Sequence, residues 1–131
     1  MTMAIELKLL GAAIILGFIY WAADVVSVTA QRGPKWNAGN REVNVPLTGG
    51  AQRINRAFGN FRETFPLFAA AVIVAYLGGR LGALTMWGSW LYVVARAVYL
   101  PVYALGIVGL RSAVFMVGFI GTLMVVAAIF V

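Results

Sequence analysis

Twenty consecutive residues, Ser112 to Val131, carry no charge. An α-helix rises about 1.5 Å per residue, so a run of this length just crosses a hydrocarbon core about 30 Å thick. Lipid offers the backbone no hydrogen bonds, which restricts such a run to helix. A second run lies near the N-terminus, where Leu9 to Ala23 is free of charge and apolar residues continue past Asp24 to Val28. Its opening holds one Glu and one Lys in place of the basic start of a signal peptide, and its apolar stretch runs on past Asp24, so it reads as an uncleaved helix. Composition agrees. The chain has 131 residues, 63% hydrophobic and 11% charged, against about 45–50% and about 25% in soluble domains. A globule this small cannot hide so much apolar surface. An ordinary soluble enzyme, a disordered chain and a collagen-like fibre are excluded.

Two further apolar runs are interrupted. The charge-free part of one, Thr64 to Gly78, would be only about 22 Å long as a helix, short of the core. Its helix must begin earlier and carry Asn60, Arg62 and Glu63 to membrane depth or close to it, with Pro66 inside. The other contains Arg96 and Pro101. The expected fold is all-α, an integral membrane four-helix bundle in a single domain over residues 1–131. The spans are expected at about 4–28, 53–78, 81–105 and 111–131. Between the first two, residues 32–52 hold Gly33, Pro34, Asn37, Gly39, Pro46, Gly49 and Gly50. These are turn and breaker residues, so a loop on the cytoplasmic side is expected there.

Charge sets the orientation. The net charge is +6, and the first loop with its flanks holds Arg32, Lys35, Arg41, Arg53 and Arg56. The positive-inside rule puts this connection and the one before Arg111 in the cytoplasm, with both termini facing away. The cations lie beside apolar runs, so lipid head groups or an anionic solute are expected partners, not nucleic acid. Cysteine and histidine are absent. That removes disulfides, thiolate or imidazole metal sites and Ser-His-Asp chemistry, and no metal is expected.

The polar residues near the spans are patterned. Arg53, Arg56, Asn60 and Glu63 recur at i, i+3, i+7 and i+10, as on one helix face. Arg96, Tyr99 and Tyr103 recur at i, i+3 and i+7 on the third span, and Arg111 and Ser112 open the fourth. Intramembrane ionisable residues usually face a bundle interior or a watery cavity. The two faces are expected to converge on a cationic, tyrosine-lined pocket open to the cytoplasmic side. Other readings stay open for single residues: topology cations for Arg53, Arg56 and Arg111, a structural Arg96–Glu63 ion pair, and belt aromatics for Tyr99 and Tyr103.

The stretch from Arg53 through Arg56 and Asn60 to Glu63, with Pro66 soon after, resembles the second-helix signature of the MAPEG family, the membrane-associated proteins in eicosanoid and glutathione metabolism. Arg96, Tyr99 and Tyr103, followed by Arg111 and Ser112, resemble that family's third- and fourth-helix motif. The resemblance implies a homotrimer of four-helix protomers with glutathione, as cosubstrate, between neighbouring subunits near the cytoplasmic face. It implies that Asn60 and Glu63 hold the peptide and its ammonium. Arg53 and Arg56 would organise or contact the carboxylate end. Arg96 would be structural or reach the ligand, and Tyr99 and Tyr103 would line the site. Arg111 would stabilise the thiolate with help from Ser112. The implied activity is a membrane-bound glutathione transferase or peroxidase acting on small lipophilic electrophiles that arrive from membrane lipid, in a bacterial inner membrane. The alternatives are a non-catalytic protein of the same fold that binds lipid or a partner, and a small multidrug exporter. The exporter would depend on a first-helix acid, for which Asp24 is the candidate, and would leave both arginine-bearing faces unexplained.

Overall fold

A computed structural model of the chain describes residues 2–131. It consists of five helices: α1 (Ile5–Arg32), α2 (Pro34–Ala38), α3 (Gly49–Leu77), α4 (Ala83–Ala104) and α5 (Val108–Phe130). The described residues contain no strand. Four helices are long, and by length and apolarity together α1 and α5 qualify as membrane spans among the described residues. α3 and α4 are as long, but arginines dilute their hydropathy.

Segment 32–52 is not the continuous loop expected from its breaker residues. Gly33 adopts φ 95, a left-handed conformation open to glycine, and its N–H closes α1 by donating to Thr29 O at 2.8 Å. Pro34 then opens α2. Proline lacks only an N–H that the first helical turn leaves unpaired anyway, and its fixed φ suits a helix start. The same dipeptide therefore ends one helix and begins another. α3 starts at Gly49, before Arg53, and runs unbroken through Pro66. Arg53, Arg56, Asn60, Arg62 and Glu63 ride on one continuous helix.

The helices alternate in direction, as contacts at their ends show. Arg53, early in α3, donates from Nε to Ala104 O at the end of α4 (2.8 Å). Arg80, just past α3, donates to Val131 O beside the end of α5 (3.2 Å). Six of the ten cations, Arg32, Lys35, Arg41, Arg53, Arg56 and Arg111, lie toward the end of the bundle formed by the start of α3, the end of α4 and the start of α5.

The core runs along α3 and α4. Phe68 stacks on Tyr92 with ring centroids 4.1 Å apart, and Leu9, Leu10 and Ala13 of α1 close one side. α4 and α5 approach most closely where Gly88 meets Gly121. A Cβ at either position would lie 2.5 Å from the other's carbonyl oxygen. Small residues permit such contact, the main source of attraction between helices in lipid. The outer surface carries Ile15, Phe18, Trp21, Leu67, Leu77 and Phe130 exposed, which suits lipid contact.

Glu6 is buried. Its carboxylate accepts a hydrogen bond from Thr85 Oγ1, whose oxygen accepts in turn from Gly82 N–H at the start of α4. A carboxylate there also meets the positive end of the α4 dipole. Glu6→Ala is expected to destabilise the bundle by about 1–3 kcal/mol, the usual penalty when a buried polar group loses its partner. Thermal unfolding in detergent checks this; an unchanged melting temperature would contradict it.

Candidate functional site

A cavity of ≈ 440 Å³ opens between α3, α4 and α5 at the cation-rich end, lined by Asn60, Tyr99, Tyr103, Arg111, Ser112 and Phe115, with Met116 at its edge. α3 supplies Asn60, the face of α4 three and seven residues past Arg96 supplies the two tyrosines, and the first turns of α5 supply the rest. No carboxylate lines it.

Arg96 is the anchor. It is 2% exposed, and its guanidinium lies 4.2 Å from the Tyr99 ring centroid, with the Phe61 and Tyr20 rings at 5.6 and 5.7 Å. Aromatic faces attract a cation through their quadrupole, the more so where water is excluded. Nη1 donates to Asn60 Oδ1 at 2.8 Å, while Nε and Nη2 find no partner. The partner of Arg96 is thus an amide, not the carboxylate of Glu63, which is exposed on α3. Asn60 is held with its carbonyl spent on arginine and its NH2 group left to act as donor.

Arg111 sits in the first turn of α5, half-buried, with its guanidinium 4.6 Å from the centroid of Tyr103. Tyr103 in turn packs edge-on against Tyr99, with centroids 5.5 Å apart. The stack fixes Arg111 laterally and leaves its fork of donors to the cavity. The positive end of the α5 dipole lies on the same side. The cavity thus suits an anion at its α5 side and a hydrogen-bonding chain along its α3 side.

The nine residues singled out in the sequence do not all meet. Asn60, Tyr99, Tyr103, Arg111 and Ser112 share the cavity, and Arg96 stands behind it. Arg53 is half-buried and occupied with Ala104 O, where it caps the end of α4. Arg56 and Glu63 are exposed on α3 and do not line the cavity within this chain. The i, i+3, i+7, i+10 pattern is a broad face. Arg53 and Asn60 border α4, whereas Arg56 and Glu63 point to its outer edge.

Two residues beyond those nine belong to the site, and Tyr20 is one that sequence reasoning missed. Tyr20 is fully buried, stacks on Phe61 at 4.7 Å and donates its hydroxyl to Arg96 O at 2.6 Å. A hydroxyl in mid-run of an apolar helix was the available signal, since a buried tyrosine needs a partner. Phe115 lines both the cavity and a narrower apolar groove of ≈ 180 Å³ between α3 and α5, walled also by Leu67, Phe119, Leu123 and Val126.

Long apolar helices around a cationic, tyrosine-lined cavity at one end of the bundle define a helical membrane protein with a site suited to a small anionic solute. No curated protein and no solved structure matches the chain. Residues 9–131 match the model of the MAPEG family, and the chain belongs to that family of membrane proteins of eicosanoid and glutathione metabolism.

Proposed function

We propose that the protein is a membrane-bound glutathione-dependent transferase or peroxidase that acts on lipophilic electrophiles. The observation that carries this reading is Arg111, held by Tyr103 at the N-terminus of α5 inside a cavity shared with Asn60, Tyr99 and Ser112.

A free thiol has a pKa of about 8.5, and a neighbouring cation lowers it. Arg111 stabilises the glutathione thiolate, with the Ser112 hydroxyl as a further donor. In conjugation the thiolate sulfur forms a bond to an electrophilic carbon, and the leaving group departs with its electron pair. In peroxide reduction the sulfur attacks the terminal oxygen, the O–O bond breaks and the alkoxide leaves and is protonated to the alcohol. The sulfenic acid left on sulfur then condenses with a second glutathione, giving the disulfide and water. No metal enters either reaction. Holding the thiolate against a lipid-borne partner supplies proximity, and the groove below Phe115 gives an electrophile a path from the bilayer.

In this reading Asn60 and Glu63 hold the peptide and its ammonium. Arg53 and Arg56 organise the carboxylate end, Arg96 fixes Asn60, and Tyr99 and Tyr103 form the wall. Arg56 and Glu63 reach a ligand only if a second copy packs against the outer edge of α3, which supports a homotrimer with glutathione between subunits. All four long helices span the bilayer as a single domain. The cation-rich end faces the cytoplasm of a bacterial inner membrane, and both termini face away.

Equilibrium binding of glutathione and of its S-methyl derivative to the protein in detergent tests the reading. S-methylation keeps the peptide and removes the ionisable thiol. Glutathione is expected to bind at least about tenfold more tightly, the worth of one charge-assisted hydrogen bond. No binding at millimolar glutathione would sink the transferase reading and leave the cavity to a lipid or a protein partner.

A further inference from the structure

Asp24 and the segment after α1, which the proposed reaction does not use, build a second polar cavity. It measures ≈ 350 Å³ and lies between the end of α1, α2 and α3. Its walls include Asp24, Arg32, Trp36, Arg41 and Asn55. None of these lines the cavity that holds Arg111.

Its depth follows from length. α1 has 28 residues, about 42 Å at 1.5 Å each, so about 12 Å of it extends beyond a hydrocarbon core about 30 Å thick. The charge-free run begins early in the helix and stops at Asp24. The overhang is therefore the C-terminal part from Asp24 to Arg32, in the head-group layer, with Trp21 exposed just below it as interfacial tryptophans are.

The cavity is built and charged in two parts. Arg32 Nε donates to Val45 O at 2.6 Å, and Arg41 Nε donates to Asn37 O at 3.1 Å. Both bonds use Nε and leave the paired terminal nitrogens of each guanidinium. The two groups lie 4.5 and 5.7 Å from the centroid of the one Trp36 ring, which is itself pinned by Nε1 donating to Val43 O at 2.6 Å. Two like charges gathered around one indole repel, and an anion that accepts from the terminal nitrogens of both offsets that cost. Among the described residues, Arg41 is also the non-glycine residue with positive φ, at 60°. A side chain held in the left-handed region stores strain, which persists where a site needs the geometry. Asp24 supplies the opposite charge. Its Oδ1 accepts from Asn55 Nδ2 at 2.8 Å, which fixes the carboxylate on the wall.

We propose that this cavity is a phospholipid head-group site that takes a phosphate and a primary ammonium together, as in phosphatidylethanolamine. The phosphate lies against Arg32 and Arg41, and the ammonium donates to Asp24. A purely anionic head would meet Asp24 with like charge. A quaternary ammonium has no N–H to donate.

The test uses the intact protein in nanodiscs of phosphatidylcholine doped with phosphatidylethanolamine or phosphatidylglycerol, with retained lipid counted by native mass spectrometry after release into detergent. Phosphatidylethanolamine is expected to be retained at least about tenfold over either other lipid, as a charge-assisted hydrogen bond would give. Asp24→Asn should remove the preference over phosphatidylglycerol. Arg41→Gly removes the guanidinium while suiting the left-handed backbone, so the fold is kept. It should lose retention of phosphatidylethanolamine with no fall in melting temperature. Equal retention of the three lipids by the unaltered protein, or an Arg41→Gly variant that keeps its preference, would overturn the proposal. Glutathione binding is read on the same samples and does not bear on the outcome.

Discussion

Arg111→Ala is expected to raise the pH midpoint of thiolate formation on bound glutathione by about 1–3 units, the range for losing an opposite charge a few ångströms away. The sign follows from which form the cation favours. Arg111 stabilises the charged sulfur, so the bound thiol ionises at lower pH than free glutathione. Without Arg111 the midpoint returns toward about 8.5. At pH 7 a thiol with its midpoint at about 8.5 is only about 3% ionised, so a return from about 6.5 costs roughly 25-fold in thiolate, and turnover should fall in proportion. Arg111→Lys restores the charge but not the flat fork stacked on Tyr103, so it should recover part of the shift. Ultraviolet pH titration of the bound thiol checks all three proteins. An Arg111→Ala midpoint equal to that of the unaltered protein would remove Arg111 from the mechanism. A variant that no longer binds glutathione at all would instead give it a role in affinity.

The second large effect is mechanical. Gly121→Ala and Gly88→Ala each place a Cβ 2.5 Å from a backbone oxygen of the facing helix, and at Gly121 also 2.9 Å from Tyr92 N. No rotamer relieves a backbone clash, so α4 and α5 must move apart. Alanine gains up to about 1 kcal/mol of helix propensity over glycine, whereas overpacking costs typically about 1–3 kcal/mol and more where a whole interface opens. The clash wins. Gly11→Ala makes the same chemical change where nothing within the chain lies within 4 Å, and it should be neutral or stabilising. Melting temperatures of the three variants in one detergent decide the matter. A Gly121→Ala variant as stable as Gly11→Ala would mean that α4 and α5 are farther apart than described. Separation there also displaces Tyr92 and Arg96 on α4, so glutathione binding should weaken together with stability.

Periodicity made Arg96, Tyr99 and Tyr103 legible as one face, because helical spacing fixes which residues of a helix are neighbours. It could not say what that face meets. The amide of Asn60, and not the carboxylate of Glu63, answers Arg96 because Asn60 lies on the border of α3 with α4 and Glu63, three residues on, is turned about 60° outward. The Arg53 pattern hid the same ambiguity, with one cation spent on the end of α4 and the next left outside. Glu6 and Tyr20 were illegible for another reason. Their roles depend on Thr85 and on the Arg96 carbonyl, both more than seventy residues away in the chain. The α2 helix was hidden because Gly33 and Pro34 signal a break equally well whether a loop or a new helix follows.

The central claim is that the cavity beside Arg111 holds glutathione as a thiolate. The most direct measurement is the ultraviolet difference spectrum of glutathione added to the unaltered protein in detergent at neutral pH. The account predicts a saturable thiolate band with about one thiolate for each occupied site and a pH midpoint below about 8.5. Saturable binding with the spectrum of the protonated thiol would contradict it.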